Sequence, residues 1–344
     1  MKNNSPVRPK SLRSDFAIWK NSQRILTIGP ASQDEPLLKS MADVATAFRL
    51  NTGHMNASEL EKTLLRLDKL FEERGKVLPV ILDLQGAKLR IGKFPSVTSL
   101  PEQVTLCLAE ESSNPAVIPI LHESVFRQTQ SGDLLYLNDR KVIVRVMEKT
   151  SETSMKAERI QDGALSSGKG LNFPDRVFEL ARVTESDRQT ISIGNRFPFV
   201  EYAVSFVDAG QEASLFRPLT GTQKLIAKIE RQSALNHVRE IDAQFDELWL
   251  CRGDLGAEAD LRELGRLQRE FAGQFPTLQK PKILAGEVLG SMIRSPFPSR
   301  SEIVHLSDAL HAGFDGFVLS DETACGSYVP EVLRFLNDFF LHES

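Results

Sequence analysis

The stretch KLIAKIERQSALNHVREIDAQFDELWLCRGD (224–254) holds the unit from which the rest of the chain can be read. A short apolar run, KLIAKIE (224–230), is followed by a helix-like stretch at 233–242 and by a second apolar run, DELWLCRGD (246–254). Each run ends in charge. Lys228 and Glu230 close the first, Arg252 and Asp254 the second. Side chains two residues apart on a strand share a face, so each pair projects together where the chain leaves the sheet.

The same pattern extends in both directions. RILTIG (24–29), TAFRLN (46–51), LPVILDLQG (78–86) and YAVSF (202–206) precede it, and PKILAGEV (281–288) and GFVLSDET (316–323) follow. Helix-like stretches at 258–274 and 299–313 separate the later runs. Strand–helix alternation favours a parallel sheet, and eight units suit an α/β fold of the (β/α)8 TIM-barrel type. An open, doubly wound sheet satisfies the same spacing. The rhythm breaks between Gly92 and Pro174, where Val, Thr, Leu and Ser dominate and DLLYLNDRKVIVRVME (133–148) reads as a β-hairpin turning at Asn138-Asp139-Arg140. The expected organisation is a discontinuous barrel domain, 1–93 and 174–344, with a small β-rich domain, 94–173, inserted after the third strand.

Composition narrows the function classes. The 344 residues are 41% hydrophobic and 26% charged, with a net charge of −4, an ordinary globular balance. That slight acidity, with no basic run, argues against nucleic-acid or anionic-membrane partners. Cys107, Cys251 and Cys325 are odd in number and far apart, which fits reduced thiols in a cytoplasmic protein. The N-terminal residues hold no apolar core of a signal peptide, and no run approaches the roughly 20 apolar residues of a membrane span.

The strand ends carry the chemistry. Arg49 and Asn51, then Asp83 with Lys88 and Arg90, then Lys228 and Glu230, Arg252 and Asp254, and Ser320, Glu322 and Thr323 all fall at the same end of their strands. In a barrel those ends converge on one mouth. Any single strand exit turns polar on reaching solvent, but five together point to a site. Carboxylates on neighbouring strands, Glu230 and Asp254, can share a hard divalent cation such as Mg²⁺. Lys228, Arg49 and Arg90 can stabilise a transferring phosphoryl group. The turn Gly253-Asp254-Leu255-Gly256, if it opens a helix, offers backbone N–H groups to an anion. Taken alone, Lys228 and Glu230 read equally well as a structural ion pair. The histidines show no metal-ligand spacing, His305 and His311 read as helix surface or packing, and no Walker A loop, G-x-G-x-x-G or G-x-S-x-G occurs.

A set of motifs in order, TIGPAS (27–32), RLNTGH (49–54), LDLQGAKLRIG (82–92), SSGKGLNFP (166–174), AKIERQSAL (227–235), CRGDLGAE (251–258), SMIRSPFPSRSE (291–302) and LSDETACGSYVPE (319–331), resembles the pyruvate kinase family over most of the chain. The resemblance implies a barrel with a mobile lid domain, acting on phosphoenolpyruvate and ADP with Mg²⁺ or Mn²⁺. It implies that Lys228, with Arg49 and Arg90, meets the transferring phosphoryl group and that Glu230 and Asp254 hold the metal. Gly253, Asp254, Gly286, Ser320 and Glu322 would contact the carbon substrate. Arg49, Asn51, His54 and Lys169 would face the nucleotide, and Asn51, Asp83 and Lys88 would line the monovalent-cation region.

The departures from the family pattern are specific. The chain ends at Ser344, so the family's C-terminal domain, with its effector site and a tetramer built through it, is expected to be absent. The family's Ser in R-L-N-F-S-H is Gly53, its Thr after the Asp is Leu84, and the Glu accompanying K⁺ dependence in many members is Lys88; a fixed ammonium there predicts activity independent of K⁺. The family's A-T-Q-M-L is AGEVL (285–289), so Gly286 stands where a substrate-contacting threonine is usual. Gly290, Asp208 and Asp321 are further replacements. The leading reading is a phosphotransferase of the pyruvate kinase kind. The alternatives are a relative acting on another keto acid or enol phosphate by metal-enolate chemistry, and a non-catalytic ligand-binding paralogue.

Overall fold

A computed structural model describes residues 19–86, 88–138, 140–173, 183–259 and 261–340. The barrel strands are β1 (Gln23–Ile28), β2 (Ala47–Asn51) and β3 (Val80–Asp83). A second sheet follows, with β4 (Gln103–Leu108), β5 (Val117–Ile120), β6 (Leu134–Leu137), β7 (Val142–Ser151), β8 (Ser154–Gln161) and β9 (Leu171–Asn172). The barrel resumes with β10 (Val200–Val204), β11 (Leu225–Ile229), β12 (Glu247–Cys251), β13 (Lys282–Ala285) and β14 (Gly316–Leu319). All eight apolar runs read from the sequence are barrel strands.

The pairing of β1 with both β2 and β14 closes the sheet. The order is β1-β14-β13-β12-β11-β10-β3-β2, parallel throughout. That excludes the open-sheet alternative. Both faces of the strands are buried, which is why they read as near-continuous apolar runs. Ile25, Ala47, Ile81, Ala203, Ile226, Trp249 and Ile283 fill the barrel interior. Their neighbours, such as Leu26, Phe48, Leu82, Leu248 and Leu284, pack outward in the layer shared with the helices.

The second sheet has the order β5-β4-β8-β7-β6-β9 and its own core, including Leu106, Ile118, Leu135, Val144 and Met155. Strands β6 and β7 form the expected hairpin, with Asn138 and Arg140 at φ 51° and 63°; Asp139 lies outside the described residues. Leu89 and Ile91 pack into this core too, and Arg90 bridges to Gly170. The chain therefore enters the small domain through the segment carrying Lys88 and Arg90.

Two helical stretches differ from expectation. The 233–242 stretch is a 3-10 turn, Ser233–His237, leading into a helix, Val238–Gln244. The helix expected at 258–274 is shorter, Leu264–Gly273, and the turn 253–256 belongs to a separate short helix, Arg252–Glu258. Leu264, Leu267 and Phe271 keep helical spacing against the barrel, whereas Leu261 is 67% exposed, so the chain turns outward between them.

Candidate active site at the barrel mouth

Registration of neighbouring strands places the polar ends together. Asn51 lies beside Asp83 across β2–β3, and Lys228 lies beside Trp249 across β11–β12. A cavity of about 130 Å³ opens there, lined by Arg49, Asp83, Lys228, Glu230, Asp254 and Ser320, with Gly253, Gly286, Trp249 and Cys251 among its walls. Among the described residues no helix is long and apolar enough to cross a membrane.

The charges form one connected set. The Lys228 ammonium sits 2.8 Å from Asp83 Oδ1 and 2.9 Å from Glu230 Oε1, and donates to Ser205 Oγ at 2.9 Å. Arg49 donates to Asp83 Oδ2 from Nε (2.8 Å) and Nη2 (2.6 Å), and to Thr27 Oγ1 from Nη1 (3.0 Å). Lys88 pairs with Asp254. The Phe206 amide donates to Glu230 Oε2 at 2.8 Å.

Burial resists ionisation of Asp83, yet the charges of Lys228 and Arg49 overcome it and hold its carboxyl below the usual range. Burial also resists charging Lys228, but Asp83 and Glu230 win and raise its pKa. The two remaining carboxylates move apart. Burial pushes Glu230 up to about 7, Lys228 offsetting part of this and the Asp254 charge adding to it. Asp254 is lowered, because Lys88 and Lys228 outweigh its burial. Burial keeps the Cys251 thiol well above its ordinary value, a neutral wall.

Glu230 and Asp254 fit a divalent cation. The charges of Glu230 and Asp254 act on each other, and Glu230 Oε1 is buried without a hydrogen bond, its contact being the ion pair with Lys228. No group of three or more His, Cys, Asp or Glu suited to a metal exists among the described residues. A two-carboxylate site suits Mg²⁺, which keeps waters and phosphate oxygens for its other positions.

Of the residues singled out from the sequence, Arg49, Asp83, Lys228, Glu230, Gly253, Asp254, Gly286 and Ser320 meet at this cavity. Others do not line it. Glu322 is buried, and its oxygens accept from the backbone amides of Leu289 (3.0 Å) and Ser320 (2.7 Å), so it holds two loops together. Arg90 donates to the Gly168 carbonyl at 2.9 Å, on the stem of the small domain. Asn51 Oδ1 accepts from Gly53 N at 3.3 Å and caps the turn Thr52–His54. The side chain of His54 lies outside the described set. Lys169 is exposed, its carbonyl accepting from Ile91 N. Lys88 pairs with Asp254, which does line the cavity. Residues that sequence reasoning missed are Ser205, which accepts from Lys228 and donates to the Leu84 carbonyl at 2.7 Å, and Phe206, whose left-handed backbone (φ 58°) delivers its amide to Glu230. The SF of YAVSF was the available signal.

A family model described as "Pyruvate kinase, barrel domain" matches residues 19–333. The chain belongs to the pyruvate kinase family. A pyruvate kinase of Agrobacterium vitis is 32% identical over 92% of this chain and 67% of its own length. One from Thermotoga maritima is 29% identical over 92% of this chain and 70% of its own.

Proposed function

We propose that this pyruvate kinase-family chain transfers the phosphoryl group between phosphoenolpyruvate and ADP. The observation that carries the reading is the Lys228 ammonium, fixed by Asp83, Glu230 and Ser205 inside a cavity that also holds Asp254. Phosphoryl transfer asks the protein for position and charge stabilisation rather than covalent chemistry. Lys228 supplies a preorganised positive charge where negative charge develops, and its partners spare it reorganisation during the reaction. Asp83 holds Lys228 and Arg49 together, so both cations face the same substrate end. Glu230 and Asp254 would hold Mg²⁺, which when bound neutralises phosphate oxygens. The backbone of Gly253 and Asp254, at the start of the helix Arg252–Glu258, receives the substrate carboxylate.

Lys88 supports a K⁺-independent version of this activity. Its ammonium is fixed against Asp254 at the cavity mouth, and the close approach of Gly170, where a Cβ would lie 2.6 Å from Lys88 Cε, leaves the lysine no bulkier neighbour. A fixed ammonium supplies the positive charge without a bound monovalent ion. The test is a coupled pyruvate assay with phosphoenolpyruvate, ADP and Mg²⁺ across a K⁺ titration. Turnover that is flat in K⁺ is expected; strong activation by K⁺ removes the role given to Lys88, and absence of turnover at every K⁺ concentration removes the phosphotransfer reading.

A further inference from the structure

Arg252 is a half-buried cation with no carboxylate within ion-pair distance among the described residues. Its guanidinium is spent on neutral acceptors. Nε donates to the Gly286 carbonyl at 2.9 Å, Nη2 reaches the carbonyls of Gly286 and, at 3.0 Å, Glu287, and Nη1 lies 2.6 Å from Nε2 of His305. A guanidinium only donates, so this contact requires His305 Nε2 to carry no proton. The acceptors Gly286 and Glu287 are consecutive residues of left-handed backbone, φ 94° and 49°. That conformation is unfavourable for Glu287 and persists where its surroundings hold it. Gly286 lines the cavity and packs so tightly that a Cβ would lie 3.2 Å from Gly253 N.

We propose that His305 is a positioning residue of the cavity wall: as a neutral acceptor it aims Arg252, and Arg252 clamps the left-handed Gly286–Glu287 turn against Gly253. His305 stands on the helix Arg300–His311, outside the cavity, so it acts through Arg252 and not on a ligand. The charged groups around it are Arg252, from the chain after β12, and Asp308, one turn along its own helix, while Glu287 and Glu322 act on Arg252 through space. Burial and then the Arg252 charge move His305 below its ordinary value, Asp308 opposing. The sign follows. Above that lowered value the ring accepts and the clamp is whole. As pH falls through it, the ring gains a proton, loses its acceptor and sets a second cation against the guanidinium. The carbon-substrate wall is then held at neutral pH and released in acid. The clamp itself stands on the Arg252 contacts with His305, Gly286 and Glu287 and is independent of which reaction the site performs.

The test is an NMR titration of the full chain between pH 5 and 8, following the His305 ring and the Gly286 and Glu287 amides. The expected result is a His305 midpoint below about 6.5, with both amides shifting at that same midpoint. In His305→Asn, whose side-chain oxygen accepts but does not titrate, those amides should stay near their neutral-pH positions. His305→Lys should hold them at the acid position. Amides that stay still through the His305 midpoint of the wild-type protein, or that titrate equally in His305→Asn, overturn the proposal. The wild-type titration decides it even if His305→Lys does not fold.

Discussion

Lys228 is placed by three partners, and that answers why a strand ends in Lys-Ile-Glu. The ammonium needs Asp83 and Glu230 to remain charged when buried, and Asp83 needs Lys228 and Arg49. Removing one member strands the others. Lys228→Ala should therefore lower kcat by about 10²–10³-fold, the scale of losing one preorganised charge stabiliser. It should also destabilise the fold by about 3–5 kcal/mol, since buried Glu230 loses its cation and Asp83 is left with Arg49 alone. Steady-state kinetics and denaturant unfolding read the two effects separately. Normal stability with normal turnover would mean that Lys228 is a replaceable ion pair. Gly286 obeys a different constraint, that of the backbone. At φ 94° any other residue is strained, so Gly286→Ala should cost about 1–3 kcal/mol, measured by denaturant unfolding. A neutral result would show that the loop relaxes to negative φ.

At the scale of elements, the loop after β13 is held by side chains at a distance in sequence. Glu302, at the third position of the helix Arg300–His311, completes a capping box with Ser299 and also accepts from the Ser291 amide (2.7 Å) and hydroxyl. This joins the helix start to the turn Gly290–Ile293. Burial opposes ionisation of Glu302, but the Ser291 and Ser299 bonds prevail and lower its pKa. A depressed carboxylate adds stability that is full above its unfolded value, about 4.3, and is lost as pH falls through the folded one. Glu302→Gln should cost about 1 kcal/mol at pH 7 and flatten the fall in stability below about pH 4.3. Urea unfolding at several pH values checks this, and an unchanged acid slope would contradict it. The same elements show why parts of the site were illegible. A carboxylate after a strand, such as Glu322, reads alike whether it faces a cavity or two backbone amides. Ser205 and Phe206 act through a hydroxyl and a main-chain amide, whose partners no side-chain pattern announces. Lys88 could be recognised as a displaced charge, but its partner Asp254 is remote in sequence.

The whole molecule was readable where local burial dictates pattern. Strands covered on both faces must be apolar throughout, so all eight could be found, and the polar ends marked the mouth. Closure could not be read from spacing, because the β1–β14 pairing joins residues at opposite ends of the chain; the family resemblance carried it. The strand order within the small domain was equally hidden, since its sheet mixes a parallel β4–β5 pair with antiparallel neighbours. Beside the site, Lys88 on the stem of that domain pairs with Asp254, and Arg140 of the small domain donates to the Ala259 carbonyl at 3.0 Å. The activity proposed for this assembled mouth is phosphoryl transfer. Its most direct test is ³¹P NMR of the protein with phosphoenolpyruvate, ADP and Mg²⁺ in K⁺-free buffer, beside Lys228→Ala. Loss of the phosphoenolpyruvate resonance matched by growth of the ATP γ-phosphate, abolished in the variant, is the predicted result. Spectra that stay constant with the wild-type protein, or that change equally with Lys228→Ala, would contradict it.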